Sequence, residues 1–201
     1  MSESTVYVVD DEPDIRELLR EIFATAGLKV KTFASASEFL PTYSPDNHGC
    51  LLLDMNMPDM DGLELLQALD GLGNQTPVIF LTGAGTVGNA VDALKAGAMD
   101  FIEKPVVMAN LLSCIRRGLD LDLKRRYERL EAMQINQRFE QLTARESEVM
   151  SWIVEGKANK MIARLLGISS RTVEIHRRNI IAKMQASSIA DLVKMDLAIR
   201  K

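Results

Sequence analysis

Asp10, Asp11, Asp54, Thr82 and Lys104 are polar residues that each fall at or just after the end of an inferred strand. In an open parallel sheet, ligands sit beyond the carboxyl ends of the strands, where the strand order reverses, so these five side chains have a common place to meet. Three carboxylates gathered at one such edge repel one another, and a hard cation such as Mg²⁺ relieves that repulsion through oxygen ligands. Asp54, which ends the run Leu51-Leu52-Leu53, is the candidate nucleophile. A carboxylate can form an acyl phosphate when a metal and a cation neutralise the incoming phosphoryl group. Lys104 can supply that cation as a compact point charge. Taken singly, Asp11 is equally a helix cap, Asp54 a turn residue, Thr82 a strand terminus and Lys104 a surface charge. Their shared position is what argues for a site.

Rival chemistries lack their residues. Gly83-Ala-Gly85 is not followed by the Gly-Lys-Ser/Thr of a phosphate loop. An aspartyl phosphatase needs a second Asp as acid/base, and here the run is Asp54-Met55-Asn56. His48 and His176 are the two histidines, and neither lies next to a candidate nucleophile for a triad. The chain therefore reads as a non-enzyme.

The elements that must position these residues alternate. Strand-like runs at 5–9, 29–33, 49–53, 77–81 and 100–103 are separated by helical patterns at about 15–23, 37–43, 62–69 and 87–96, and a further helix starts near Met108. Five strands alternating with five helices predict a doubly wound parallel sheet, since parallel neighbours need crossover connections. From Met108 onward, Leu112, Ile115, Leu119, Leu123, Tyr127 and Leu130 recur at spacings of three and four, which predicts one long helix. A coiled-coil seam, a helix packed on its own domain and a frayed connector all remain open for residues beyond it. Thr143-Ala-Arg-Glu146 matches a capping box and opens a second domain of four helices, at 144–154, 158–166, 171–184 and 189–200. On the third of these, Val173, Ile180 and Met184 should face the core and leave Glu174, Ile175, Arg178 and Ala182 outside, with Arg171 and Arg177 on the flanks. That face could enter a major groove, Arg178 reading guanine, Glu174 cytosine and Ile175 a thymine methyl. An ordinary surface helix with a Glu174–Arg178 pair is the alternative.

At 201 residues and 47% hydrophobic content, the chain suits two modest domains, since single domains cluster near roughly 100 to 150 residues. The net charge of -4 divides unevenly. Residues 1–120 carry 8 basic and 18 acidic side chains, residues 121–142 carry 5 and 4, and residues 143–201 carry 11 and 6. An acidic front suits a divalent cation and a basic back suits a phosphate backbone. Cys50 and Cys114 are too few for a disulfide framework, and no secretory signal precedes the first strand, so a reducing cytoplasm is expected. No apolar run approaches the roughly 20 residues that span a bilayer, so no membrane partner is expected.

Residues 6 to about 120 closely resemble the receiver domain of two-component response regulators, through Val8-Val9-Asp10-Asp11-Glu12, the stretch Leu53-Asp54-Met55-Asn56-Met57-Pro58 to Gly62, Leu81-Thr82-Gly83 and Phe101-Ile102-Glu103-Lys104-Pro105. The resemblance implies that Asp54 accepts phosphate from a sensor histidine kinase. It also implies that Asp11, Asp54 and the backbone carbonyl of Asn56 hold Mg²⁺, with Asp10 helping through water. Thr82 and Lys104 would bind the phosphoryl group, Phe101 would turn inward as the switch, and Lys104-Pro105 would be cis. Residues 142–201 resemble the four-helix DNA-binding domain of LuxR-type regulators, through Leu142-Thr143-Ala-Arg145-Glu146, Gly156-Lys157-Ala-Asn159-Lys160 and Ile168-Ser169-Ser170-Arg171-Thr172-Val173-Glu174. That implies phosphate-backbone contacts from Lys160, Thr172, Arg177 and Lys183, base contacts from Glu174, Ile175 and Arg178, and a dimer contact from helix 189–200, with Asp191 and Lys194 near its exposed side.

Both matches, in this order, are similar to the NarL/FixJ class, the receiver especially to the FixJ type. The expected architecture is α/β: a flavodoxin-like, doubly wound, five-stranded parallel receiver (1–120), a helical linker (121–141) and an all-α, four-helix helix-turn-helix domain (142–201). The implied function is phosphorylation-dependent transcriptional regulation, with promoter DNA, RNA polymerase and a second copy of the chain as partners. A receiver acting as a phosphate sink or protein-docking module, without DNA binding, is the alternative.

Overall fold

A computed structural model of the chain describes residues 4–83 and 93–199. The chain separates into two compact units, Met1–Arg126 and Tyr127–Lys201.

In the first unit, β1 (Thr5–Val9), β2 (Lys29–Phe33), β3 (Gly49–Asp54), β4 (Val78–Thr82) and β5 (Asp100–Glu103) form one sheet, paired in parallel throughout. Their order, β2-β1-β3-β4-β5, is the flavodoxin-like one, which reverses between β1 and β3. Alternation of side chains along the strands sorts the core into two layers. Val6, Val8, Cys50, Leu52, Ile79 and Leu81 pack on one face with Leu19 and Phe23 of α1 (Pro13–Thr25) and with Leu111 and Ile115 of the helix over Met108–Phe139. Tyr7, Val9, Leu51, Leu53 and Phe80 pack on the other with Leu65, Leu66 and Leu69 of α3 (Gly62–Gly71). The central strands are apolar on both faces because both are covered.

The helix expected over 37–43 is split into α2 (Ala36–Phe39) and a single 3-10 turn at Leu40–Thr42. Pro41 has no N–H to donate, and its ring crowds the carbonyl four residues earlier, so α2 cannot continue. The helix expected over 87–96 lies mostly outside the described residues. Burial pushes the Cys50 thiol far above its ordinary pKa and, with the neighbouring Asp100 carboxylate, lifts Cys114 to about 11, so neither is a thiolate near neutral pH.

The long helix, α4 (Met108–Phe139), is continuous over 32 residues. It lies close against β3 at Gly118, where a Cβ would come 2.5 Å from Cys50 Sγ. One turn further on, buried Asp122 accepts the Gly49 backbone N–H at 3.0 Å and pairs with Arg126 at 3.1 Å. This fixes α4 to the start of β3, at the opposite end of that strand from Asp54.

The second unit contains α5 (Ala144–Val154), α6 (Asn159–Leu166), α7 (Ser170–Met184) and α8 (Ile189–Ile199). Ile135 and Phe139, from the last turns of α4, pack into its core with Val149, Ile153, Ile162, Val173, Ile180 and Leu192. Gly167 ends α6 in the left-handed conformation at φ 62°, which needs no Cβ, and the turn to α7 follows. The Arg138 guanidinium donates to the Met184 carbonyl, at the end of α7, at 3.3 Å. Among the described residues, no helix is long and apolar enough to cross a membrane.

Candidate functional site

Three carboxylates and one ammonium meet at the carboxyl edge of the sheet. Asp10 immediately follows β1, Asp54 ends β3, and both are buried. Lys104 immediately follows β5, and its backbone N–H donates to the Thr82 carbonyl at 2.7 Å, which brings the residue across from the sheet edge. Its ammonium lies 2.9 Å from Asp54 Oδ1, 3.1 Å from Glu12 Oε1 and 3.3 Å from Asp10 Oδ2. The second Asp54 oxygen accepts the Asn56 backbone N–H at 3.0 Å. The second Asp10 oxygen accepts that of Glu12 at 2.9 Å, and Arg16 donates to the Asp10 carbonyl at 2.7 Å. Gly62 lets α3 begin against this loop, since a Cβ there would lie 2.6 Å from the Asp54 carbonyl oxygen and 2.7 Å from Phe80.

The electrostatics follow from burial and charge count. Burial raises the pKa of Asp10, and the Asp54 carboxylate adds to the rise, while the Glu12 N–H and Lys104 pull against it. For Lys104 burial opposes the charged form, but the hydrogen bonds to Asp54 and Glu12 and the charge of Asp10 outweigh it and hold the pKa above the ordinary value. One ammonium against Asp10, Glu12 and Asp54 leaves negative charge uncompensated, with Asp11 adjacent. A donor set of hard oxygens with excess negative charge suits a divalent cation. Among the described residues, though, no three carboxylate, imidazole or thiol groups converge as a ready metal cage. Asp11 is exposed, and Lys104 lies between Asp10 and Asp54.

Of the residues singled out in the sequence, Asp10, Asp54 and Lys104 come together, and Thr82 is buried one position beyond the Asp54–Leu81 register pair. The Asn56 side chain is exposed, and its backbone is what touches Asp54. Phe101, on edge strand β5, is 39% exposed. Lys104–Pro105 is cis. Glu12 and Arg16 carried no expected role. Glu12 could have been suspected from its place in the acidic run Asp10-Asp11-Glu12, whereas nothing in the sequence marks Arg16.

In the second unit, Val173, Ile180 and Met184 are buried and Glu174, Ile175, Arg178 and Ala182 exposed, which leaves one face of α7 open. Lys160 and Arg171 are exposed and Arg177 is half-buried. Glu174 pairs loosely with Arg171 at 3.5 Å rather than with Arg178. The Ser169 hydroxyl caps α7 through the Thr172 N–H at 3.0 Å and shares a hydrogen bond with the Thr172 hydroxyl at 2.8 Å. The capping box forms as expected, with Thr143 N–H and Oγ1 donating to Glu146 Oε2 at 2.9 and 3.0 Å. Lys183 donates to the same oxygen at 2.6 Å. This hydrogen bond, followed by that of the Thr143 backbone, lowers the pKa of buried Glu146 to about 2. Arg145 caps the end of α6 through the Leu166 carbonyl at 2.6 Å.

The family comparisons divide the chain in the same order. Residues 6–116 match the response regulator receiver domain, and residues 140–196 match the bacterial regulatory proteins of the luxR family. The chain is 43% identical over 199 residues to the transcriptional regulatory protein FixJ of Rhizobium meliloti, covering 98% of this chain and 97% of that one. It is 41% identical over 192 residues to the response regulator protein TodT of Pseudomonas putida, covering 96% and 85%. Among solved structures, the response regulator StyR superimposes with a TM-score of 0.85 at 42% identity, over 98% of this chain and 99% of that one. The chain therefore belongs to the two-component response regulators that join a receiver to a LuxR-type helix-turn-helix, phosphorylation-dependent regulators of transcription.

Proposed function

We propose that Asp54 is the phosphoacceptor, and that residues 1–120, 121–141 and 142–201 serve as receiver, linker and DNA-binding domain. The observation that carries this reading is the Lys104 ammonium held 2.9 Å from Asp54 Oδ1 beside buried Asp10. Lys104 and the Asn56 N–H take one Asp54 oxygen each, which fixes the carboxylate plane for attack. An Asp54 oxygen attacks phosphorus of a phosphohistidine on a sensor kinase. The P–O bond forms as the P–N bond breaks, and the electron pair leaves on the imidazole nitrogen. Lys104 and the Thr82 hydroxyl then donate to phosphoryl oxygens. Asp11, Asp54 and the Asn56 carbonyl would hold Mg²⁺, with Asp10 acting through water. When bound, the ion neutralises charge on the carboxylates and the transferring group.

Movement of Thr82 toward the phosphoryl group leaves room for Phe101 to turn inward, which reshapes the receiver surface. On α7, Glu174, Ile175 and Arg178 address bases. Lys160, Thr172 and Arg177 address phosphates. Lys183 adds positive charge near the backbone while bound to Glu146. Homodimerisation on phosphorylation, promoter binding and recruitment of RNA polymerase in the cytoplasm complete the reading.

Acetyl phosphate with Mg²⁺ tests the site: wild type gains one phosphoryl group and Asp54→Asn none. Equal labelling of both would refute the assignment. Binding to promoter fragments, weakening steeply with salt, tests the second half, and no affinity with or without phosphate refutes it.

A further inference from the structure

Glu12 stands at the phosphorylation site without an assigned part in it. The Lys104 ammonium has three N–H donors and faces three carboxylates, at 2.9 Å (Asp54), 3.1 Å (Glu12) and 3.3 Å (Asp10). Its hydrogen-bonding capacity is therefore full before any phosphoryl group arrives. Once Asp54 is an acyl phosphate it carries no carboxylate charge, so the donor it held passes to one phosphoryl oxygen, and a second donation to the doubly charged group requires Lys104 to release Asp10 or Glu12. Asp10 is buried, and an uncompensated buried carboxylate is costly. Glu12 is 59% exposed, its carboxylate is solvated when released, and an exposed pair of this kind contributes little.

We infer that Glu12 is a positioning residue that occupies Lys104 as a stand-in anion and is exchanged for the phosphoryl group. This rests on Asp54 being the phosphoacceptor. Two consequences follow from charge alone. In the resting site, Glu12 holds one of the three ammonium donors at 3.1 Å. In the phosphorylated site, Glu12 competes for Lys104 and repels the phosphoryl oxygens. Glu12 thus shortens the reach of Lys104 and weakens the phosphorylated state, setting how readily the switch closes. Glu12→Gln removes the charge at constant size and keeps the backbone N–H that supports Asp10 at 2.9 Å.

The test uses the full chain at saturating Mg²⁺, with beryllofluoride affinity by titration calorimetry and acetyl phosphate labelling rate as readouts. At low ionic strength, E12Q should bind beryllofluoride and label about two- to five-fold better than wild type, the range of an exposed ion pair. Near 0.5 M salt, where the Debye length is only about 4 Å, the gain should largely vanish. E12D, which restores the charge, should return toward wild type. The control E17Q removes an exposed carboxylate that pairs with Arg20, and should leave both readouts unchanged. If E12Q matches or falls below wild type at low salt, or its gain is independent of salt, the inference is overturned while Asp54 labelling stands. If wild type is not labelled at Asp54 at all, the site reading fails and the inference with it.

Discussion

Replacing Glu146 by Gln should expose how much of the DNA-binding domain rests on one buried carboxylate. Glu146 accepts from Thr143 and from Lys183, and its pKa falls from 4.5 to about 2. A drop of that size corresponds to at most about 3 kcal/mol of preference for the ionised form. Lys183 is 34% exposed, so water screens the pair, and about 1 to 2 kcal/mol is the expected share. A depressed carboxylate stabilises the fold above its unfolded pKa, and that stabilisation is lost as pH falls through the folded value, here between 4.5 and about 2. Trp152 in α5 is the single tryptophan of the chain, so its fluorescence follows urea unfolding of this domain alone. At pH 7, E146Q should lose about 1 to 2 kcal/mol, roughly 5 to 15 °C in Tm for a domain of this size. The gap to wild type should close on acidification through that window, and the difference between the two proteins cancels other carboxylates such as Asp191. Superimposable curves at pH 7, or a gap constant down to pH 3, would refute the reasoning.

Gly62→Ala forces a Cβ to within 2.6 Å of the Asp54 carbonyl oxygen. It should cost the receiver about 1 to 3 kcal/mol and slow acetyl phosphate labelling, measured by circular dichroism melts and a labelling time course. Lys104→Met leaves Asp10 and Asp54 facing each other without a cation. It should destabilise the receiver by about 1 to 3 kcal/mol at pH 7, and by less as the pH falls, because the raised pKa of Asp10 lets the folded state take up a proton before the unfolded one. Arg178→Ala should lose about ten-fold or more in affinity for a specific site and little for random DNA, whereas Lys160→Ala should weaken both and lower the salt slope by about one, as gel-shift titrations would read.

The receiver was legible because its signals are local: three four-residue apolar runs, each followed by a polar residue, place Asp10, Asp54 and Thr82 at one edge once the strands are parallel, and the shorter strand Asp100–Glu103 brings Lys104 to the same edge. The shortened α2 was legible in principle from Pro41, though apolar periodicity ran past it. What the sequence could not display are partnerships made across the chain. Asp122 sits among apolar positions of α4, and its acceptor role depends on Gly49, 73 residues away. Glu146 announces a capping box through its spacing from Thr143, but Lys183 reaches it from 37 residues further on, and so a residue expected to face DNA is shared with the fold. Glu12 looked like the tail of an acidic run until Lys104 was seen to meet it.

The Arg138–Met184 hydrogen bond ties the last turn of α4 to the end of α7. Terminal carbonyls of a helix lack intrahelical donors, and Arg138 supplies one only while residues 135–139 keep their helical form. Ile135, buried in the same core, unravels with them. Fraying at the end of the connector is therefore felt at Met184 as faster opening of the amides around Ile181 and Ala186. Native-state hydrogen exchange should find these two chain segments, some 45 residues apart in sequence, opening as one cooperative unit.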